Sequence, residues 1–318
     1  MREDISSHTG STADGRPLAY TRAPPLELRP WIARIGVTHV ILPEGATIAC
    51  QTFAEQPVIR MIYGAPWEAR TADGTQRFEP GDQGLALYFG PCTRAMDLKV
   101  FGSFRVVSIY CTPGATCQLG LPQVGETNDR IVATNPFAPS GRPDPRYRPQ
   151  SDVHAWLESC GAVLAEEVGR AGISPPSRMV EEFEALYLTD PAACLDTFAS
   201  RHGVSRRTLE RRLKSVLGVA PRAAMRRARA LDMAAALLGV APIEETPQIA
   251  LRYYDQPHLN REMHRFFGAT PGQLRNGSHP LLLISMEIRQ SRRLELLQRQ
   301  SQAQGREWRD PDAEPEPR

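Results

Sequence analysis

Lysine is almost missing from this chain: it occurs only at positions 99 and 214, so nearly all of the 38 basic residues are arginines. That bias reads first as coding preference and only then as function. Histidine is scarce as well, and of the seven only His8 and His39 precede residue 150. A metal-dependent β domain needs several imidazoles and a carboxylate around one ion, so metal catalysis is not expected there. The cysteines stand at 50, 92, 111, 117, 160 and 194, with no C-x-x-C pair and no accompanying His cluster. They read as reduced, mostly buried thiols, with a redox role for the close pair Cys111 and Cys117 as the alternative. No apolar run approaches the ~18 residues of a membrane helix. The longest is Met233–Ala241, and mean hydropathy is −0.36. Met1–Arg16 is polar and has no apolar stretch of the signal-peptide kind, so a cytoplasmic location is expected and no membrane partner. There is no Gly-rich phosphate loop and no G-x-S-x-G, so no catalytic residues, no cofactor and no metal are assigned, and the chain is not read as an enzyme.

What is present divides along the chain. At ~100–200 residues per domain the length predicts two domains. Residues 18–134 read as β-rich, with apolar runs at Ile35–Leu42, Val58–Tyr63, Leu85–Phe89 and Phe104–Cys111 separated by Gly- and Pro-containing turns. Thr71–Phe78, around Asp73-Gly74, is a hairpin signal. Many short strands at even spacing suggest a small barrel or sandwich. Trp31, Tyr63, Trp67, Tyr88 and Phe89 are read as its core, with an apolar ligand pocket as the second reading. Residues 135–152 carry five prolines and form a linker. Residues 153–177 hold a connecting helix and a break, 277–299 a C-terminal helix, and 300–318 a polar tail expected to be disordered.

Residues 190–275 resemble themselves at an offset of 50. Leu209, Leu213 and Leu217 map onto Leu259, Met263 and Phe267; Gly218–Pro221 maps onto Gly268–Pro271; Ser205 maps onto Asp255, both good N-caps. Each copy reads as helix–turn–helix. In the first, Gly203 supplies the turn and Leu209, Leu213, Val216 and Leu217 face inward, leaving Arg206, Arg207, Glu210, Arg211 and Lys214 outward. In the second the outward row is Gln256, Pro257, Asn260, Arg261 and His264. Its turn Gly is missing, because Arg252 or Tyr253 stands there and Ala250 is out of register, so a shortened or bent first helix is expected. His258 and His264 read as polar surface before any specific role. Net charge is only +2, which excludes a uniformly basic coat, yet Arg201–Arg229 holds ten basic residues and one acid, Glu210, a local +9. A solvated helix face normally mixes both signs, so this run points to phosphate contact.

The stretch Phe198-Ala…Gly203-Val-Ser…Leu209…Arg211…Gly218…Pro221…Arg229, then Asp255-Gln-Pro-His-Leu…Arg261-Glu…Phe266-Phe-Gly268…Thr270-Pro271, resembles the AraC/XylS family of bacterial transcription regulators. The resemblance covers about 178–276. It implies an all-α module of two helix–turn–helix units joined by a long helix, here about Arg222–Leu238. It also implies a sequence-specific activator or repressor that places two recognition helices in adjacent major-groove segments of double-stranded DNA. Matched residue by residue, the base readers would be Arg206, Arg207, Glu210 and Arg211, then Gln256, Pro257, Asn260 and Arg261. Ser205, Arg212, Lys214, Arg226, Arg227, Arg229, His264 and Arg265 would hold phosphates. The β-rich domain looks like the cupin-like companions of this family, making the expected class α+β by separate domains. The resemblance adds an unknown small-molecule effector, a homodimer and RNA polymerase as candidate partners. The competing reading is a small-molecule-binding or enzymatic cupin-like protein whose DNA-binding domain is vestigial.

Overall fold

A computed structural model describes residues 4–6, 18–133, 141–242 and 245–303. His8, residues 135–140 of the linker and the tail beyond 303 lie outside the described residues.

The N-terminal half is β-rich. Its strands are β1 (Asp4–Ser6), β2 (Ala19–Arg22), β3 (Ile32–Val40), β4 (Ile48–Thr52), β5 (Val58–Gly64), β6 (Trp67–Thr71), β7 (Gly74–Phe78), β8 (Gly81–Phe89), β9 (Met96–Val100) and β10 (Phe104–Cys111). Two short helices, α1 (Ala115–Gln118) and α2 (Val124–Thr127), precede β11 (Ile131–Val132). They make two antiparallel sheets, in the orders β1-β2-β3-β10-β5-β8-β11 and β4-β9-β6-β7. The hairpin around Asp73 is β6–β7, closing at the Thr71–Gly74 pair.

Strand β10 shows why its sequence lacks a clean alternation. Phe104 and Val106 face the second sheet with Trp67 and Leu98, while Val107, Ile109 and Cys111 face the other way. That outer face is covered by α3 (Val153–Ala171), which lays down Trp156, Leu157, Cys160 and Leu164. A strand buried on both sides reads as one continuous apolar run. Tyr63, Trp67, Tyr88 and Phe89 are core, none more than 4% exposed. Burial pushes the Cys92 thiol up to about 11, and Cys111 and Cys160 up to about 12. Cys111 is buried and Cys117 exposed, and both are free thiols.

The C-terminal half is helical: α4 (Arg178–Thr189), α5 (Leu195–Arg201), α6 (Arg206–Leu217), α7 (Pro221–Leu237), α8 (Thr246–Ala250), α9 (Gln256–Phe267), α10 (Pro271–Asn276) and α11 (Pro280–Ala303). The two halves share one core. Phe53 packs on Phe267 with ring centroids 5.4 Å apart, and the Ala95 amide donates to the Phe266 carbonyl at 2.6 Å. Helix α11 returns to the β half, where Leu281, Ile284 and Ile288 join the apolar interior between the sheets. Ser285 on the same helix lies 3.0 Å from the Thr52 hydroxyl. No helix among the described residues is long and apolar enough to cross a membrane.

Candidate nucleic-acid interface

The offset of 50 is exact in the structure. Helices α6 and α9 both run twelve residues, from Arg206 and Gln256, and α7 and α10 both start with proline, at 221 and 271. The caps repeat too. Ser205 Oγ accepts from the Thr208 amide at 3.2 Å, and Asp255 Oδ1 from the His258 amide at 2.6 Å. Each satisfies an amide that the first helical turn leaves without a carbonyl. Both helices end on glycine at positive φ, Gly218 at 71° and Gly268 at 65°. Pro257 lies in the first turn of α9, where its missing N–H breaks no helical bond.

The turns differ. In the first unit four residues separate α5 from α6, and Gly203 takes φ 62°. In the second, five residues separate α8 from α9, and none of Leu251–Asp255 has positive φ. The chain instead unwinds gradually, with Arg252 and Tyr253 amides donating to Ile249 and Ala250 carbonyls at 3.2 and 3.1 Å. Arg252 is then pinned by an ion pair to Asp232 on α7. Helix α8 is only five residues long; it buries Ile249 and leaves Ala250 exposed. A side-chain anchor and one more residue thus do what Gly203 does in the first unit.

On α6, Leu209, Leu213 and Leu217 are buried against Phe198 and Ala199. Arg207, Glu210, Arg211, Arg212 and Lys214 are exposed, as is the cap Ser205. Arg206 is only a third exposed; it donates to Glu210 at 2.8 Å and to Asp196 at 3.1 Å. Glu210 therefore holds Arg206, leaving Arg207 and Arg211 free. On α9, Gln256, Pro257, Arg261, His264 and Arg265 are exposed and Asn260 is partly so. The Gln256 side-chain amide donates to Asn260 Oδ1 at 3.3 Å, and the Arg265 guanidinium lies 6.0 Å from the Phe266 ring. His258 is partly buried beside Tyr253, rings 5.5 Å apart.

The arginines expected to hold phosphates from the joining helix do not form a free surface. Arg227 is 3% exposed, lies 3.7 Å from Glu55 of the β half and donates to the Cys92 carbonyl at 2.9 Å. Arg229 is spent on the Pro191 carbonyl at 2.9 Å. Arg226 is paired with Glu262 of α9. Burial alone would push Glu262 up; Arg226 outweighs that and holds it below the usual carboxylate range. These three arginines tie α7 to its neighbours, and Arg227 is withdrawn from any phosphate role by burial. Helical periodicity placed Arg227 on the run but could not show a carboxylate far away in the chain. Of the ten basic residues in the +9 run, the exposed and unpaired set is Arg201, Arg207, Arg211, Arg212, Lys214 and Arg222. Arg201 and Arg222 are additions to the expected contact set, visible beforehand only as members of that run.

Residues 198–277 match the helix–turn–helix domain family. The segment is a DNA-binding helix–turn–helix module of the AraC type, joined to a β-rich N-terminal half. No curated protein matches the chain. Among solved structures, a single-residue variant of apo ToxT from Vibrio cholerae strain SCE256 is similar at 11% identity and a TM-score of 0.44, over 79% of this chain and 98% of that one. ToxT from Vibrio cholerae O395 is similar at 10% identity and a TM-score of 0.42, over 77% and 99%. Native PhpD with cadmium atoms gives 16% identity and a TM-score of 0.24, over 69% and 51%.

Proposed function

We propose that this chain is a sequence-specific transcription regulator, non-enzymatic, whose α6 and α9 enter adjacent major-groove segments about one turn, ~34 Å, apart. The observation that carries the reading is the six-residue set of exposed, unpaired cations on and around α6, inside a helix–turn–helix module where the other basic residues of the run are engaged. Unpaired cations on one face attract the phosphate backbone, and affinity then falls steeply with salt as counterions are released. The DNA-binding part is 178–276, and the β-rich part is 18–134.

Arg207 and Arg211 are the base readers of the first unit, with Arg206 held by Glu210 beside them. Gln256, Asn260 and Arg261 are the readers of the second, with Pro257 packing against the groove. Ser205, Arg212, Lys214, His264 and Arg265 position the backbone, joined by Arg201 and Arg222. The first unit supplies most of the affinity because its free cations outnumber those of the second.

Selection of bound sites from random duplexes, followed by titration of variants, tests this. Arg211→Ala should weaken the selected site by about 1–3 kcal/mol more than random DNA. Lys214→Ala should weaken both alike and reduce the salt slope by about one contact. Equal losses on both DNAs for Arg211→Ala would remove its base-reading role, and salt-independent binding would remove the reading as a whole.

A further inference from the structure

Both α6 and α9 are held by the β half, and at the same place in the repeat. The side-chain amide of Asn128, just beyond α2, donates at 2.9 Å to the carbonyl of Gly218, the residue that ends α6. The Ala95 amide reaches the Phe266 carbonyl in the last turn of α9, and Phe53 packs on Phe267 beside it. Positions 216–218 and 266–268 correspond at the offset of 50. Carbonyls at the end of a helix have no partner within it, so each hold also satisfies a group that the helix leaves open. The loop that carries Ala95 takes Arg227 of α7 as well, through the Cys92 carbonyl.

Asp129 joins the two holds into one piece. Its carboxylate accepts from the Thr93 amide at 2.7 Å and is hydrogen-bonded to the Thr93 hydroxyl. Its amide donates to the Pro91 carbonyl at 3.1 Å, and its carbonyl accepts from the Ala72 amide at 2.7 Å. Next to it Arg130 donates to Asp73 at 2.9 Å, in the turn of the β6–β7 hairpin. Residues 90–95 and 128–130 are thus cross-linked to each other and backed by that hairpin. Among the described residues Asp129 is the one residue other than glycine at positive φ, 57°. Such a conformation carries a cost for an L-residue and persists where the surroundings over-determine it. Here the bonds to Thr93, Pro91 and Ala72 do so.

Within the helical half α6 and α9 are joined through α7, on which each packs. Two helices hinged on a third keep a freedom of tilt that a second support removes. We infer that the bracket of residues 90–95 and 128–130 sets the separation and tilt of α6 relative to α9. Asn128 and Asp129 are then positioning residues, which rests on the DNA reading proposed above: without lying on either helix, they determine which spacing of two DNA segments the chain accepts. A base pair inserted between the segments displaces one of them by about 3.4 Å and turns it by about 34°. Helices fixed by the bracket cannot follow that step, whereas helices hinged on α7 alone can. Neither helix–turn–helix unit contains the bracket, so the β half supplies a share of the specificity that the helical half does not carry.

The duplex selected by the full chain should be remade with a base pair inserted or deleted between its two segments, and titrated with parent and variants. Asp129→Gly keeps the left-handed backbone and removes the carboxylate. Asn128→Ala removes only the hold on α6 and serves as the test should the glycine variant not fold. The parent should lose about tenfold or more in affinity per inserted base pair, and these two variants about threefold or less. Asp129→Asn keeps the backbone preference and an acceptor for the Thr93 amide, and should restore the strict spacing. Tyr147→Phe, which removes the bond to Glu167 on α3, controls for lost stability and should follow the parent. Spin labels at Ser215→Cys and Arg265→Cys, equivalent exposed positions of α6 and α9, report the separation without DNA. Cys50→Ser, Cys117→Ser and Cys194→Ser remove the thiols that are not buried. Pulsed electron paramagnetic resonance should give a narrow distance distribution in the parent and a broader or displaced one in Asp129→Gly and Asn128→Ala. The bracket's role is overturned if inserted base pairs cost parent and variants alike, or if the label distances coincide. A parent that binds no duplex at any spacing counts against the DNA reading, and the label distances then decide the bracket on their own.

Discussion

Asp232→Asn should be among the most destabilising single changes in this protein, and more so than Arg289→Met. Asp232 on α7 is 3% exposed and accepts from both Arg252 and Arg289. Arg289 also reaches Glu55 at 2.8 Å, and Glu55 lies 3.7 Å from Arg227. Three guanidiniums thus face two carboxylates, a local surplus of one positive charge. Asp232→Asn leaves three cations facing Glu55 alone. Breaking a buried pair in this way costs about 3–5 kcal/mol. Arg289→Met leaves two cations and two carboxylates: Arg227 with Glu55, and Arg252 with Asp232. It forfeits charge-assisted hydrogen bonds and the donor to the Ala228 carbonyl, but it cancels the surplus. About 1–3 kcal/mol is the expected loss there. Urea unfolding followed by far-UV circular dichroism and by tryptophan fluorescence would give both values from the midpoint shift at constant slope. If Arg289→Met costs as much as Asp232→Asn, the charge count is the wrong account of this cluster.

Two further outcomes follow from backbone and burial. Gly203 and Gly218 both have positive φ, but a Cβ at 203 meets nothing, whereas at 218 it would sit 2.8 Å from Asn128 Oδ1. Gly203→Ala should cost about 1–2 kcal/mol for conformation alone, and Gly218→Ala distinctly more; equal losses in thermal melts would mean that the Asn128 contact yields freely. Burial pushes the Glu167 carboxyl up to about 7 from an ordinary 4.5, against the opposing effect of the hydrogen bond from Tyr147. The folded state then binds more protons than the unfolded one between those pH values, so stability falls as pH rises from about 4.5 to about 7. Glu167→Gln should flatten that part of the Tm–pH curve, and parallel curves for variant and parent would refute the assignment.

The local structure of the helical half was legible because it is written in local chemistry. Ser205 and Asp255 cap, Gly218 and Gly268 terminate, and the leucine spacing sets the buried face of α6. The joining helix is expected over Arg222–Leu238 and found over Pro221–Leu237. The β-rich half was legible as a class, down to the β6–β7 hairpin, but its pairing order was not: β3, β10, β5 and β8 lie side by side through contacts far apart in the chain. The basic run misled for the same reason. Arg226, Arg227 and Arg229 look like their neighbours in sequence, and only Glu262, Glu55 and Pro191, brought in by tertiary packing, set them apart. Likewise nothing local marks α11 as more than an amphipathic helix.

The return of α11 to the β half also sets a timetable. The strands are all synthesised by residue 132, yet the interior between them is closed by Leu281, Ile284 and Ile288. At roughly 5–20 residues per second, the β half waits about seven to thirty seconds for the helix that completes it. Through that interval Trp67, Phe104 and Arg34, whose partner Glu295 is on α11, lie open to water and to other chains. A chain stopped before residue 280 lacks the helix that closes a domain whose strands it has already made.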